Sequence, residues 1–171
     1  MINFIKNFLK KPKYKWVEIY SPINGKIIDL SEVPDPALAQ KMFGDGCAIE
    51  PLEGEIYCPI DAEVTFSGNG IFYSLDFFIS FETEEGLELV FQLGLDALAV
   101  IKVTNLSKRE GFYKKGDKLY EYDIKELKEK ALSTKSPFII SNMEIVKNIE
   151  IVKKDKIKAG ELIMKVQILD Q

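Results

Sequence analysis

The sequence predicts an all-β fold, two similar halves packed as a sandwich of antiparallel sheets with one or two short helices. Three observations carry this reading. The chain has 171 residues, 46% of them apolar and 29% charged, enough for one domain with its own core. From Tyr14 onward it is built of short runs rich in Val, Ile, Phe and Tyr, among them WVEIYSPI, GCAIEP, GEIYCPI, AEVTFSG, FFISFET and LELVFQL, and Gly, Pro, Asp or Asn separates them. Finally, the chain repeats itself. Tyr20-Ser21-Pro22-Ile23-Asn24-Gly25-Lys26-Ile27 returns as Tyr57-Cys58-Pro59-Ile60-Asp61-Ala62-Glu63-Val64, and the turn Tyr113-Lys114-Lys115-Gly116-Asp117-Lys118-Leu119 is echoed by Ile157-Lys158-Ala159-Gly160-Glu161-Leu162-Ile163. Sheets closed on one another in this way bury most strand edges.

Taken in order, residues 1–15 stand apart from residues 16–171. The first segment carries Lys6, Lys10, Lys11, Lys13 and Lys15 with no acid, a charge of +5 in a chain whose net charge is −4. Ile2, Ile5, Phe8 and Leu9 recur at helical spacing with Phe4 beside them, and Pro12 ends the pattern. Two readings stay open: an interfacial helix whose Ile2, Phe4, Ile5, Phe8 and Leu9 enter an anionic membrane surface, or a tail docked on the domain. Within the β pattern, Pro36 to Phe43 reads as a helical turn or two, and Asp123 to Leu132 as a helix with Asp123 as N-cap. In ELVFQLGLD, Leu87, Leu89, Phe91 and Leu93 share one strand face and leave Glu88, Val90 and Gln92 on the other.

No run of about 20 apolar residues is present to span a bilayer, and the N-terminus shows no signal-peptide core, so the expected location is cytoplasmic, with a peripheral place at the inner face of the membrane if the first segment is interfacial. Cys47 and Cys58 match no usual zinc or redox spacing and read as reduced core thiols. Asp45, Asp61, Asp76 and Asp96 read as turn-capping or solvated acids rather than a metal cluster. No metal, cofactor or nucleic acid is expected.

Pro22-Ile23-Asn24-Gly25, Val33-Pro34-Asp35-Pro36, Gly44-Asp45-Gly46-Cys47-Ala48-Ile49-Glu50-Pro51, Pro59-Ile60-Asp61, Gly86 to Asp96 and Ser141-Asn142-Met143 occur in one order along nearly the whole chain. In this the chain resembles the glucose-type enzyme IIA of the bacterial sugar phosphotransferase system. The resemblance implies a barrel-sandwich of the duplicated hybrid type over residues 16–171. It also implies a site at which a histidine accepts a phosphoryl group from HPr and passes it to enzyme IIB. Two departures fall there. The accepting histidine is matched by Gln92, and its orienting partner by Phe77, in a chain with no histidine at all.

An amide nitrogen whose lone pair is delocalised into its carbonyl is no nucleophile, and a phenyl ring donates no hydrogen bond to phosphate. Arg109 is the only arginine, so compensating cations are scarce. The expectation is a pseudoenzyme: a regulatory or scaffold module of sugar uptake, non-phosphorylatable at the family position, that binds partners of the phosphotransferase system or sugar permeases. The resemblance assigns the partner-binding surface to Ala37, Leu38, Met42, Phe43, Phe77, Gln92 and Leu93. The alternative is an active phosphocarrier using another acceptor, such as Asp76 or Cys58. Lysostaphin-type zinc peptidases share the hybrid fold but need histidine ligands, and biotin or lipoyl carriers need a lysine in a Met-Lys-Met type hairpin; neither requirement is met.

Overall fold

The repeated turns make the same hydrogen bonds twice. The structure, a computed structural model, describes residues 12–69, 76–97, 102–105, 110–152 and 154–170. In the first half the Ser21 hydroxyl donates to Ile23 O at 2.7 Å; in the second the Cys58 thiol donates to Ile60 O at 3.0 Å. Ser21 N–H reaches Glu161 O and Cys58 N–H reaches Asp117 O, both at 2.8 Å, while Gly160 and Gly116 return N–H donors to Ser21 O and Cys58 O, both at 2.9 Å. Both glycines sit at positive φ, +83° and +88°, where a Cβ would be strained. The Asn24 side chain accepts from Ala159 N–H at 2.7 Å and Asp61 from Lys115 N–H at 2.8 Å, so Asn and Asp perform one task in the two copies. Across the repeat, Tyr57 N–H donates to Pro22 O and Tyr20 N–H to Pro59 O.

From these turns run thirteen strands among the described residues: β1 Tyr14–Tyr20, β2 Gly25–Ile28, β3 Asp45–Pro51, β4 Glu55–Tyr57, β5 Ala62–Asn69, β6 Phe77–Thr83, β7 Glu88–Leu93, β8 Val103–Asn105, β9 Gly111–Tyr113, β10 Lys118–Tyr122, β11 Ser136–Ile140, β12 Val146–Ile151 and β13 Leu162–Leu169. They form a seven-stranded sheet in the order β2-β3-β11-β7-β6-β5-β9 and two three-stranded sheets, β1-β13-β12 and β4-β10-β8. The result is an antiparallel β-sandwich. Its main core is filled by Phe81, Phe91 and Phe138 of the large sheet and by Ile19, Ile56, Tyr120 and Val166 of the small ones. The helices are short: α1 Pro36–Ala39 and α2 Ile124–Lys130, the latter capped by the Asp123 carboxylate accepting from Lys125 and Glu126 N–H. Residues 1–11, with the predicted membrane-contact positions Ile2, Phe4, Ile5, Phe8 and Leu9, lie outside the described residues. No described helix is long and apolar enough to cross a membrane.

Cys47 and Cys58 are free and buried, as the spacing led one to expect. Burial removes water from the thiolates and pushes both thiols from 9.0 up to about 12. Above pH 9 the unfolded chain loses these protons while the folded chain keeps them, so the thiols' contribution to stability is complete below that pH and is lost as pH rises toward 12. Urea midpoints should therefore fall across pH 9–11, and Cys47→Ser with Cys58→Ser should flatten the decline; an unchanged slope in the double variant would refute this.

Candidate functional site

Three central strands of the large sheet turn a second, outer face away from the main core. On β7, Leu89, Phe91 and Leu93 point inward, so Glu88, Val90 and Gln92 point outward, the alternation expected from the sequence. Pairing carries the pattern to the neighbours: Phe78 lies opposite Gln92 on β6, and Ile139 opposite Val90 on β11. The segment between β2 and β3 packs over this face through Leu30, Val33 and Leu38, which form a second apolar cluster with Ala48, Leu95 and Ile139.

That segment holds its shape by capping. Asp29 accepts from Ser31 N–H at 2.9 Å and from its hydroxyl, and these bonds hold its carboxyl below the usual carboxylate range. Asp35 accepts from Ala37 N–H at 2.8 Å and Leu38 N–H at 3.0 Å, with Pro36 at the first helical position. After α1 the chain reverses through Lys41, whose φ is 59°, and Gly44. The reversal throws Met42 and Phe43 outward, 70% and 61% exposed. Between this lip and the sheet lies a depression of about 450 Å³ lined by Asp35, Leu38, Phe43, Asp76, Phe78, Val90, Gln92, Pro137, Ile139 and Ser141. Among the described residues the lining includes two carboxylates, Asp35 and Asp76.

At its floor Gln92 is only 4% exposed. Its Nε2 donates to Gly94 O at 3.0 Å, which fixes the amide's orientation and leaves Oε1 as the remaining acceptor. The acceptor loop is itself tied down. Gly94 N–H donates to Ser136 Oγ at 3.0 Å, and that hydroxyl donates to Thr134 O at 2.9 Å. Gly94 has φ +57°, and a Cβ there would stand 2.6 Å from Ser133 O. Two residues on, Asp96 N–H donates to Asp76 Oδ1 at 2.7 Å.

The predicted surface needs correction at two positions. Phe77 and Leu93 form one cross-strand pair on the inner face; Phe77 is 4% exposed and meets the Tyr120 ring edge-on at 4.9 Å between centroids. An apolar ring gains more by leaving water than by lining a groove, and strand parity gives it that choice. Of the other expected positions, Leu38, Phe43 and Gln92 line the depression, while Ala37 and Met42 lie on the α1 segment and its reversal and are not part of the lining. Phe78, Val90, Pro137 and Ile139 were missed there. The signal was present: Phe77, Ile79 and Phe81 alternate with Ser80 and Glu82, and that parity turns Phe78 outward.

The four aspartates do not share a centre. Asp45 accepts from Gly46 N–H and pairs with Lys41, Asp61 binds Lys115 N–H and Lys114 Nζ, and Asp76 holds the Asp96 amide. Among the described residues no three or more His, Cys, Asp or Glu side chains are placed to hold a metal ion.

Comparison with known proteins places this geometry in a family. Residues 17–146 match the family model of the phosphoenolpyruvate-dependent sugar phosphotransferase system, EIIA 1. The chain belongs to that EIIA family. It is 37% identical over 155 residues to a PTS system glucose-specific EIIA component of Oceanobacillus iheyensis, covering 90% of this chain and 91% of the relative. It is 32% identical over 157 residues to the component of the same description from Haemophilus influenzae, covering 91% of each. Among solved structures it is similar to glucose permease IIA from Mycoplasma capricolum, with a TM-score of 0.74 and 27% identity, covering 88% of this chain and 96% of that one. The EIIA fold is the β-sandwich described above. Against that background the chain has no histidine anywhere.

Proposed function

We propose that this EIIA-family chain is a regulatory or scaffold module of sugar uptake that cannot be phosphorylated at the family site. The observation that carries the reading is Gln92, in a chain without histidine, seated at the floor of the depression with its amide nitrogen committed to Gly94 O. A phosphoryl acceptor needs a lone pair aimed at the incoming phosphorus and donors for the charge that develops on its oxygens. Gln92 offers an amide carbonyl, and the lining adds the carboxylates of Asp35 and Asp76. A surface floored by an amide does not meet this need. It suits a partner's apolar side chains and a hydrogen-bond donor for Gln92 Oε1.

The partner surface in this reading is Ala37, Leu38, Met42, Phe43 and Gln92 together with Phe78, Val90 and Ile139. Apolar residues exposed at the lip, with buried apolar ones behind them, are the composition of a docking patch. Its partners are proteins of the phosphotransferase system or sugar permeases. The protein works in the cytoplasm, with residues 1–11 supplying weak contact to an anionic membrane surface.

Incubation with radiolabelled phosphoenolpyruvate, enzyme I and HPr should leave the protein unlabelled while a histidine-bearing EIIA in the same tube becomes labelled. Stable label on this chain, on Asp76 or any other residue, would establish the phosphocarrier alternative instead.

A further inference from the structure

Among the described residues β1 is the longest sheet edge, and the other edges are blunted. β4, β8 and β9 have three residues each, β2 has four and its Gly25 N–H is taken by Ile157 O at 2.9 Å, and β12 is interrupted by a bulge between Val146 and Asn148. β1 runs for seven residues and keeps one register with β13 as far as Ile19. The ladder tells which of its backbone groups are open. Lys13 O accepts from Asp170 N–H at 2.9 Å, so those two residues face each other as a bonded pair. By antiparallel alternation Lys15, Val17 and Ile19 direct their N–H and C=O groups to β13, while Tyr14, Trp16 and Glu18 turn theirs to the open side. At the far end Tyr20 N–H donates to Pro59 O at 3.3 Å and closes the edge. Side chains of the same three residues leave the face opposite the core, with Trp16 46% exposed, and charge along them is graded. Lys13 is exposed beside Tyr14, and Lys147 Nζ lies over the Tyr14 ring at 4.0 Å; Asp170, the acid there, is balanced by Lys15 at 3.7 Å. Glu18 shares its row with Lys165 and Glu150, which leaves that end acidic.

We propose that β1 pairs with β1 of a second copy of this chain, antiparallel about a two-fold axis at Trp16, so that two three-stranded sheets become one. Trp16 then faces Trp16 of the second copy, and Tyr14 faces its Glu18. Each facing pair exchanges two N–H···O bonds, about six in all, and every open backbone group from Tyr14 to Glu18 finds a partner. The indoles add a cross-strand aromatic pair. Charge selects the antiparallel sense. It lays the lysine end of each copy on the acidic end of the other, with Lys147 beside Glu18 of the second copy, whereas a parallel pairing sets like charge against like. The edge itself selects the register: a slip of two residues would set Tyr14 against Tyr20, whose N–H Pro59 O already holds. β6, β7 and β11, which floor the depression, belong to the other large sheet, so the pairing does not depend on the proposed docking function.

Sedimentation velocity of the full-length protein, from micromolar to millimolar concentration, should show a monomer–dimer equilibrium. Emission of Trp16, the chain's single tryptophan, should shift to shorter wavelength along the same isotherm. Trp16→Pro removes an outward N–H and leaves the β13 ladder whole, so it should weaken dimerisation by roughly tenfold or more. Glu18→Lys should weaken it by about tenfold, and adding Lys147→Glu should recover most of that loss, a rescue that a change in fold stability does not imitate. If Trp16→Pro lowers the thermal melt, the charge exchange decides. A protein that stays monomeric throughout overturns the inference. So does growth beyond the dimer, which would mean that β1 meets a different edge and the contact does not close. A dimer indifferent to Glu18→Lys, or one that Lys147→Glu fails to restore, overturns it as well.

Discussion

Phe77→Ala should destabilise the protein by about 3–5 kcal/mol, whereas Phe78→Ala, one residue along the same strand, should lower stability far less. The contrast follows from which way each ring points. Phe77 is buried against Tyr120, Leu93 and the rest of the main core, so its removal leaves a cavity lined by side chains from two sheets, which close-packed surroundings fill only in part. Phe78 borders the outer depression, where water occupies the space a missing ring leaves. Urea unfolding of the two variants measures the difference. Equal losses, or a larger loss for Phe78→Ala, would mean that β6 runs with the opposite parity. The experiment also separates stability from recognition: Phe78→Ala should keep the fold and weaken whatever docks over Gln92.

A second large effect is a gain of chemistry. Replacing Gln92 by His and Phe78 by His together should confer phosphoryl acceptance from phosphorylated HPr, which the proposed function denies to the unaltered protein. A histidine at 92 can donate Nδ1–H to Gly94 O as the amide Nε2 now does, leaving Nε2 of the ring with its lone pair toward the depression. Position 78 is the direct cross-strand neighbour, with Cβ atoms about 4.5–5.5 Å apart in such pairs, near enough for a second imidazole to orient the phosphoryl group. That partner should raise the labelling rate over Gln92→His alone by about 100-fold, the usual scale for a positioned acid or base. Gln92→His with Phe77→His is the control. It places a polar ring in the main core and should yield an unstable protein without label. Labelling of the control at the rate of the Phe78 double variant would sink the assignment of faces.

Much of the fold was legible in advance because the deciding information is local. Turn residues announce themselves: Pro22-Ile23-Asn24-Gly25 and Pro59-Ile60-Asp61-Ala62 share spacing and acceptor chemistry, and their hydrogen bonds came out in matched pairs. Asp123 caps α2 for the same reason. The outward position of Gln92 needed only the alternation along its own strand. Phe77 was different. Assigning it by resemblance to a family position ignored the parity of FFISFET, and only the pairing of β6 with β7 joined Phe78 to Gln92. The lip formed by Met42 and Phe43 required the capped segment to fold back across a sheet whose strands are scattered through the chain.

By itself, then, the sequence determined the absence of imidazole, the duplicated turns and the all-β architecture, since composition and short-range pattern survive any arrangement in space. Tertiary structure decided which aromatic ring entered the core, which carbonyl holds the Gln92 amide, and that the carboxylates of Asp35 and Asp76 line the depression. Each of these depends on the register between strands distant in sequence. One residue of slip would send every side chain of a strand to the other face.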